Sequence, residues 1–138
     1  MAADINLKPK VKRLMNQFLA ECKKQGIELI VTQGYRTKEE QDRLFAQGRT
    51  KPGNIVTNAK GGYSFHNHRV AFDVCFLIDK HASYDGDWNK IGAIGKRLGL
   101  EWGGDWKEFL DRPHWQYTAG YSLNDFINWK RINPLKFI

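Results

Sequence analysis

The sequence predicts an α+β fold, because segments with the periodicity of amphipathic helices occur beside short runs with the character of strands. Its 138 residues correspond to one domain, since a domain usually has about 100–200 residues. Hydrophobic residues make up 41% of the chain and aromatic residues 13%, enough to fill a core without a disulfide or a structural metal. We therefore expect residues 1–138 to fold as one domain.

The first half of the chain predicts two helices and one strand. Apolar residues recur at spacings of three and four over residues 8–25, which indicates an amphipathic helix that Gly26 ends. The apolar, β-branched residues 27–32 predict a buried strand. Thr37 and Glu40 form a capping box that starts a second helix, and Gly48 closes that helix.

The second half begins with an irregular segment and then predicts two strands and two helices. Residues 49–63 are rich in Pro, Gly and Asn and predict a long loop, which in a small domain is usually functional or disordered. Residues 70–77 alternate as a strand that carries Asp73, and residues 114–117 predict another strand. Apolar spacing predicts a third helix over residues 88–98, ending at Gly99. A last helix is capped by Ser122 and Asp125 and presents Leu123, Phe126 and Ile127.

Charge, hydropathy and cysteine content limit the possible partners and the cellular location of the protein. The formal net charge is +7, which suits an anionic partner. No apolar run approaches the roughly 18–20 residues of a membrane span. Residues 1–6 lack the basic and apolar stretches of a secretory signal, so we expect a cytoplasmic location. Cys22 and Cys75 are the two cysteines, and we expect both thiols to be free and buried.

Histidines and aspartates are the candidates for chemistry. We interpret His81, in the polar turn sequence of residues 80–83, as a surface residue. His66 precedes Asp73 by an odd number of positions, which places them on opposite faces of one strand unless a turn or bulge lies within residues 67–69. Pro113 favours an extended chain that projects His114, with Asp111 close by.

Two imidazoles and one carboxylate would make a suitable three-ligand set for Zn²⁺, with a fourth position for water. An open position indicates a catalytic ion, because zinc lowers the pKa of the bound water to about 7. A carboxylate outside the ligand set can then act as the base, and Asp111 is the candidate. Spacing alone leaves ordinary surface residues as the alternative interpretation.

Several segments in the same order resemble one family. SFH (64–66), AFD (71–73) and DRPH (111–114) resemble the zinc-dependent D-alanyl-D-alanine carboxypeptidase and L-alanyl-D-glutamate endopeptidase family (VanY-like), which cuts peptidoglycan stem peptides. Further segments resemble its bacterial and phage L-alanyl-D-glutamate branch: GYRT (34–37), QDRL (41–44), GRTKPG (48–53), TNAKGG (57–62) and GLEWGGDW (99–106). The resemblance implies the LAS-type fold of hedgehog and D-Ala-D-Ala peptidases, a small antiparallel sheet flanked by helices. Residues 119–138 extend past the matched region and are too few to form a separate wall-binding domain, so we expect one catalytic domain.

The resemblance implies roles for individual residues. His66, Asp73 and His114 would bind Zn²⁺, Asp111 would be the general base, and Arg36 would stabilise the oxyanion. The alternative for Arg36 is a surface salt bridge. Three further residues are candidate substrate-binding groups: Ser64, which would touch substrate or shape the turn; His68, which would line the pocket or support a ligand; and Gln116, which would hydrogen-bond substrate or a ligand.

Two positions depart from the family pattern. Arg69 stands where the family usually has glycine, and arginine is strained there if the turn needs a positive φ. Gln116 stands where related folds often carry a second histidine two residues after the last ligand.

The leading functional hypothesis is a zinc peptidase that cleaves the L-alanyl-D-glutamate bond of peptidoglycan. We expect a monomeric phage or prophage endolysin that waits in the cytoplasm, with peptidoglycan as its partner and no nucleic acid or stable membrane association. The nearest alternative is a D-alanyl-D-alanine carboxypeptidase with the same catalytic residues. Nucleic-acid binding through the basic residues near both termini is a third hypothesis, but it assigns no role to the histidines. A non-catalytic wall-binding protein is a fourth, for which Arg69 is the only hint.

Overall fold

The computed structural model describes residues 6–138, and residues 1–5, most of the segment whose composition predicts no secretory signal, lie outside it. The helices are α1 (Pro9–Lys24), α2 (Lys38–Ala46), α3 (Trp88–Arg97) and α4 (Leu123–Asn128). The strands are β1 (Leu29–Gln33), β2 (Ala71–Ile78), β3 (His81–Ser83), β4 (Glu101–Trp102) and β5 (His114–Gln116). Short 3₁₀ turns span Phe65–His68, Gly103–Asp105 and Pro134–Phe137.

Local sequence explains where the helices begin and end. Pro9 occupies the first turn of α1, where its missing N–H costs nothing. Gly26 follows α1 with a φ of +79°, a conformation that glycine adopts without strain. Thr37 caps α2 through its hydroxyl, which accepts from the Glu40 N–H, and the Glu40 side chain accepts from the Thr37 N–H. These are the boundaries that the sequence predicts.

The sheet is centred on β2. Strands follow the order β1-β2-β5-β4, β3 also pairs with β2, and each of these pairings between described strands is antiparallel. The register places Asp73 of β2 opposite Gln33 of β1 and opposite His114 of β5. Cross-strand partners project to the same face of a sheet. Asp73 and His114 therefore share one face at the middle of the sheet.

The core lies on the opposite face of β2. Phe72 packs beside Phe18 of α1, with ring centroids 6.3 Å apart, and Phe18 also contacts Trp115 at 4.4 Å. Trp115 stacks on Trp102 at 5.6 Å. Helix α3 approaches these rings closely, because Gly95 lies directly against Trp115. The packed aromatic layer supports the strands from behind, so that the other face is free to carry polar groups.

Most predicted elements are confirmed, and the misses are short. Strands β3 and β4 have three and two residues, too few for a detectable alternation. The turn from β2 to β3 uses Asp79 and Lys80, both at positive φ, without the Asn-Gly or Asp-Gly sequence that marks such hairpins. His81 therefore begins strand β3 instead of lying in a turn, although it is exposed as predicted.

Other predictions about the chain have mixed outcomes. Cys22 and Cys75 are free and buried, as predicted. In α4 only Phe126 is buried, and Ile127 is 38% exposed, so the prediction that Ile127 belongs to the packed face is wrong. The helices described over residues 6–138 include none with the length and apolar character needed to cross a membrane.

Candidate metal centre and active-site cleft

The pairing of β2 with β5 places the first two candidate ligands together. The distance between Asp73 Oδ1 and His114 Nδ1 is 3.4 Å, and His114 is buried. A tight turn before β5 fixes His114, because its N–H donates to the Asp111 carbonyl at 3.1 Å. The Pro113 carbonyl accepts from the Val74 N–H and ties this turn to β2. The sheet register therefore sets the geometry of this pair.

A turn brings the third candidate ligand to the same point. The 3₁₀ turn Phe65–His68 is capped by the Ser64 hydroxyl, which accepts from the His66 N–H. Arg69 then adopts the left-handed conformation, with φ +66° and ψ +26°, and directs the chain into β2. The distance between His66 Nε2 and Asp73 Oδ1 is 3.2 Å. This is the kind of turn that the odd spacing between His66 and Asp73 requires.

Hydrogen bonds fix which nitrogen of each imidazole carries the proton. His66 Nδ1 lies 2.9 Å from the Gly34 carbonyl oxygen, which only accepts, so Nδ1 donates there. His114 Nε2 lies 2.7 Å from the Gln116 Oε1, so Nε2 donates there. In the neutral rings the nitrogens that face Asp73 then carry lone pairs. The two imidazoles are oriented as metal ligands usually are, through the hydrogen bond on the far nitrogen.

The fit to a divalent cation follows from this arrangement. Asp73 Oδ1 is buried and has no hydrogen-bond partner among the described residues, although two ring nitrogens lie near it. One ligand atom from each of His66, Asp73 and His114 lies within 4.8 Å of the others. When both imidazoles are neutral, three electron-pair donors converge, and a cation at their centre stabilises them. The residues present therefore fit Zn²⁺.

The ionisation of Asp73 suits the same role. Burial alone would raise the pKa of Asp73, but in the metal-free site the hydrogen bonds and positive charge of protonated His114 and His66 outweigh burial and hold that pKa well below its usual range. Asp73 is therefore an anionic carboxylate at neutral pH.

The three residues lie in a cleft of about 700 Å³, which Arg36 and Asp111 also line. Asp111 is partly buried, and burial, followed by the charge of Asp73, raises its pKa above the usual range of an aspartate. A raised pKa makes a carboxylate a better proton acceptor. The backbone of Asp111 is anchored, since its N–H donates to the Gly103 carbonyl at 3.0 Å.

Arg36 follows strand β1 and lines the cleft. Its Nη1 donates to the Gln41 Oε1 at 2.8 Å, and its Nε is buried without a partner in the described chain. No carboxylate within residues 6–138 lies at ion-pair distance from Arg36. The surface salt bridge considered for Arg36 is therefore wrong. Burial lowers the pKa of Arg36, and the nearby carboxylates Asp73, Glu40 and Asp111 oppose that effect.

The three candidate substrate-binding residues occupy different places. Ser64 lines the cleft and also caps the 3₁₀ turn. His68 does not line the cleft; its imidazole is buried, hydrogen-bonds the Gly62 carbonyl oxygen at 2.8 Å and lies near Phe126. Gln116 does not line it either, because it is buried and engaged with His114. Of the alternatives predicted for Gln116, the structure shows the hydrogen bond to the ligand candidate His114. The pocket-lining alternative for His68 is wrong, since its imidazole bonds the Gly62 carbonyl oxygen outside the cleft lining.

Three further residues contribute to the site and were not among the predicted site residues. The Trp106 ring lies 4.9 Å from the His114 ring and lines the cleft. Asn67 joins the cleft loop to Arg36, since its Oδ1 accepts from the Gly62 and Ser64 N–H groups and its Nδ2 donates to the Arg36 carbonyl. Gln41 has no exposed surface. The capping-box spacing from Ser64 to Asn67 is a signal for Asn67. Gln41 and Trp106 lie in two of the segments that carry the family resemblance, QDRL (41–44) and GLEWGGDW (99–106).

Comparison with known proteins finds similarity to peptidases in each case. A family model described as D-alanyl-D-alanine carboxypeptidase matches residues 57–117. The peptidoglycan L-alanyl-D-glutamate endopeptidase CwlK of Bacillus subtilis (strain 168) is 43% identical, with 83% of this chain and 75% of CwlK covered. The L-alanyl-D-glutamate peptidase of Listeria phage A118 is 30% identical over 90% of this chain, and the match spans only 43% of the phage protein.

A solved structure matches the fold. The vancomycin-resistance D,D-pentapeptidase VanY of a VanB-type cassette, crystallised in complex with Zn(II), superposes with a TM-score of 0.64 and 15% identity, covering 99% of this chain and 87% of that chain. At this identity the likeness concerns the fold alone. It confirms the predicted α+β class with its small antiparallel sheet.

Proposed function

Because the chain belongs to the family of peptidoglycan peptidases that includes the L-alanyl-D-glutamate endopeptidases, we propose that it hydrolyses the L-alanyl-D-glutamate bond of peptidoglycan stem peptides with the help of Zn²⁺. The observation that carries the proposal is the convergence of one ligand atom from each of His66, Asp73 and His114 in a cleft that also holds Arg36 and Asp111. A substrate bound in this cleft would lie beside a candidate cation site, a base and a guanidinium that has no ion pair.

The proposed metal ligands are His66 Nε2, Asp73 Oδ1 and His114 Nδ1. When bound there, zinc supplies an acidified water and polarises the scissile carbonyl. Gly34 and Gln116 keep the two imidazoles in the tautomers that present lone pairs to the site.

The chain's own groups carry the proton and the developing charge. Asp111 accepts a proton from the attacking water and then delivers it to the leaving amine of the D-glutamyl residue. Arg36 faces the carbonyl oxygen as it becomes negative, so its charge stabilises the transition state more than the ground state. No ion pair with a carboxylate of residues 6–138 weakens that charge.

The choice of bond and the biological role are part of the proposal. The 43% identity to a protein named as an L-alanyl-D-glutamate endopeptidase favours that bond over the D-alanyl-D-alanine bond. Similarity to a Listeria phage peptidase supports a role as an endolysin, stored in the cytoplasm and released to the wall by a separate membrane lesion. The positive net charge suits an anionic wall.

Mass spectrometry of digested peptidoglycan tests the proposal. We expect new peptides with N-terminal D-glutamate, loss of their release on chelation, and recovery with added zinc. Release of terminal D-alanine without N-terminal D-glutamate would assign the chain to the carboxypeptidase alternative instead. Cleavage that survives complete removal of metal would contradict the zinc mechanism.

A further inference from the structure

Gln41 is a polar side chain with no exposed surface, on helix α2 behind the cleft. A buried amide is costly unless its oxygen and nitrogen both find partners. The Gln41 Oε1 accepts from Arg36 Nη1 at 2.8 Å. The Gln41 Nε2 donates to the Ala59 carbonyl at 2.7 Å and lies 3.3 Å from the Thr57 hydroxyl. The amide is therefore satisfied at both ends.

The partners of Gln41 line the cleft and come from two separate segments of the chain. Arg36 follows strand β1, and Thr57 and Ala59 belong to the long irregular loop. A single planar amide thus fixes the distance between the guanidinium and the loop. Glutamine suits the position because it offers one acceptor and two donors at opposite ends of a neutral group.

The lack of charge on the Gln41 amide matters as much for Arg36 as the position of that amide. Nη1 bonds to Gln41, Nε is buried without a partner, and no described carboxylate pairs with Arg36. A neutral acceptor can hold the guanidinium in one orientation without compensating its charge. A carboxylate at the same place would form a partly buried ion pair and weaken the field that Arg36 directs at the cleft.

We propose that Gln41 is a positioning residue, which holds the Arg36 guanidinium in the cleft without an ion pair to a described carboxylate and fixes the loop at Thr57 and Ala59. The inference rests on the proposed function for the role of Arg36 at the oxyanion. Gln41 acts through Arg36 and does not touch the substrate.

The test compares Gln41→Met and Gln41→Glu with a matched control, Gln47→Met. Gln47 also donates to the backbone of the same loop, at Asn54, but it contacts neither Arg36 nor the cleft. We expect both Gln41 variants to lower kcat by about tenfold to a hundredfold, the scale of a misplaced catalytic group, with a smaller change in KM. The control keeps wild-type kcat. All variants should retain one zinc per chain, since Gln41 takes no part in the hydrogen bonds of the His66 and His114 imidazoles.

A double-mutant cycle separates positioning from a structural role. In an Arg36→Ala background, Gln41→Met should not lower kcat further, although it should still lower the unfolding midpoint, because the hydrogen bonds from Gln41 to Thr57 and Ala59 remain to be lost. An equal fall in kcat with and without Arg36 would overturn the proposal, as would wild-type kcat in folded Gln41→Met. The cycle can be measured on whichever peptide bond the enzyme cuts, so failure of the proposed bond specificity is a distinct outcome.

A spectroscopic measurement needs no turnover at all. The Nε–H of Arg36 is buried and its guanidinium is held, so its resolved ¹⁵N resonance should exchange slowly with water in the wild type and in Gln47→Met. Exchange should become much faster in Gln41→Met. Unchanged exchange in that variant would show that Gln41 does not hold the guanidinium.

Discussion

The backbone of Arg69 destabilises the turn that it occupies, whereas the side chain of Arg69 stabilises the same turn. Its φ of +66° is unfavourable for any residue with a Cβ. Its guanidinium lies 3.9 Å from the Tyr35 ring centroid and its Nη1 donates to the Asn6 carbonyl. The stacking and the hydrogen bond offset the backbone strain, which explains how the turn keeps its geometry without glycine.

Substitutions at Arg69 test this balance. Arg69→Ala keeps the strain and removes the side-chain contacts, so we expect it to be less stable than Arg69→Gly by about 1 kcal/mol, the usual cost of left-handed backbone for a residue with a Cβ. Urea unfolding of both variants measures the difference. Equal stability of the two variants would show that the turn relaxes away from positive φ.

Asp111 is the residue whose removal separates chemistry from metal binding. Asp111→Asn preserves shape but cannot accept a proton, so we expect hydrolysis to fall by about 10²–10⁴-fold, the usual contribution of a general base. Zinc content should stay at the wild-type level, because Asp111 is outside the set of converging ligand atoms. Activity assays with elemental analysis check both parts. Wild-type activity would remove Asp111 from the mechanism.

At the residue scale, the sequence is informative where a side chain has an unusual type and context. His66, Asp73, His114 and Asp111 are candidates because of their ionisable side chains and their places near strands. The family resemblance adds the assignment of their roles and that of Arg36. Gln41 is not a candidate on these grounds, since a glutamine on a helix is ordinarily exposed and its burial depends on a loop that has no regular structure. The supporting places of His68 and Gln116 likewise depend on partners chosen by the tertiary fold.

At the scale of elements, helix α3 packs closely against the sheet because it has glycine where the aromatic layer approaches. A Cβ at Gly95 would collide with Trp115 and Phe18. This contact lies behind strand β5, whose first residue is His114. The packing of α3 therefore supports the strand that carries a proposed ligand.

Gly95→Ala tests that packing. In an exposed helix the change would stabilise by about 1 kcal/mol through helix propensity. Here we expect a net loss of about 1–3 kcal/mol, because overpacking a closely packed core forces side chains off their rotamers. Ala93→Gly, at an exposed site on the same helix, is the control for propensity alone. A thermal unfolding midpoint above that of the wild type would contradict the predicted clash.

Elements differ in how well the sequence predicts them. Helices α1, α2 and α3 are long enough for their periodicity and caps to be read, and their observed ends agree with the prediction. Strand β3 is missed because its hairpin turn uses Asp79 and Lys80 without a glycine. Strand β4 has two residues and exists through its pairing with β5, a long-range contact that local sequence does not encode.

At the scale of the whole molecule, a closed core should protect both thiols. Cys22 has no exposed surface, and burial raises the pKa of its thiol to about 11. Cys75 is also buried. Only the thiolate reacts readily, and it must be accessible. The native protein should therefore hide both cysteines from a thiol reagent.

Thiol labelling measures the integrity of the core. At pH 8 we expect neither cysteine to react on the time scale of minutes in the native state, and both to react in denaturant. Rapid labelling of Cys22 in the native protein would show that helix α1 opens away from the sheet far below the global unfolding free energy.

Zinc binding by the folded chain tests the central claim most directly, that His66, Asp73 and His114 converge on one divalent cation. Elemental analysis and calorimetric titration should give one zinc per chain, retained in His81→Ala, whose histidine is exposed on β3. In His66→Ala the affinity should fall by more than the roughly 10–100-fold that loss of a ligand's hydrogen-bond partner costs. Zinc bound to His66→Ala with wild-type affinity would contradict the account.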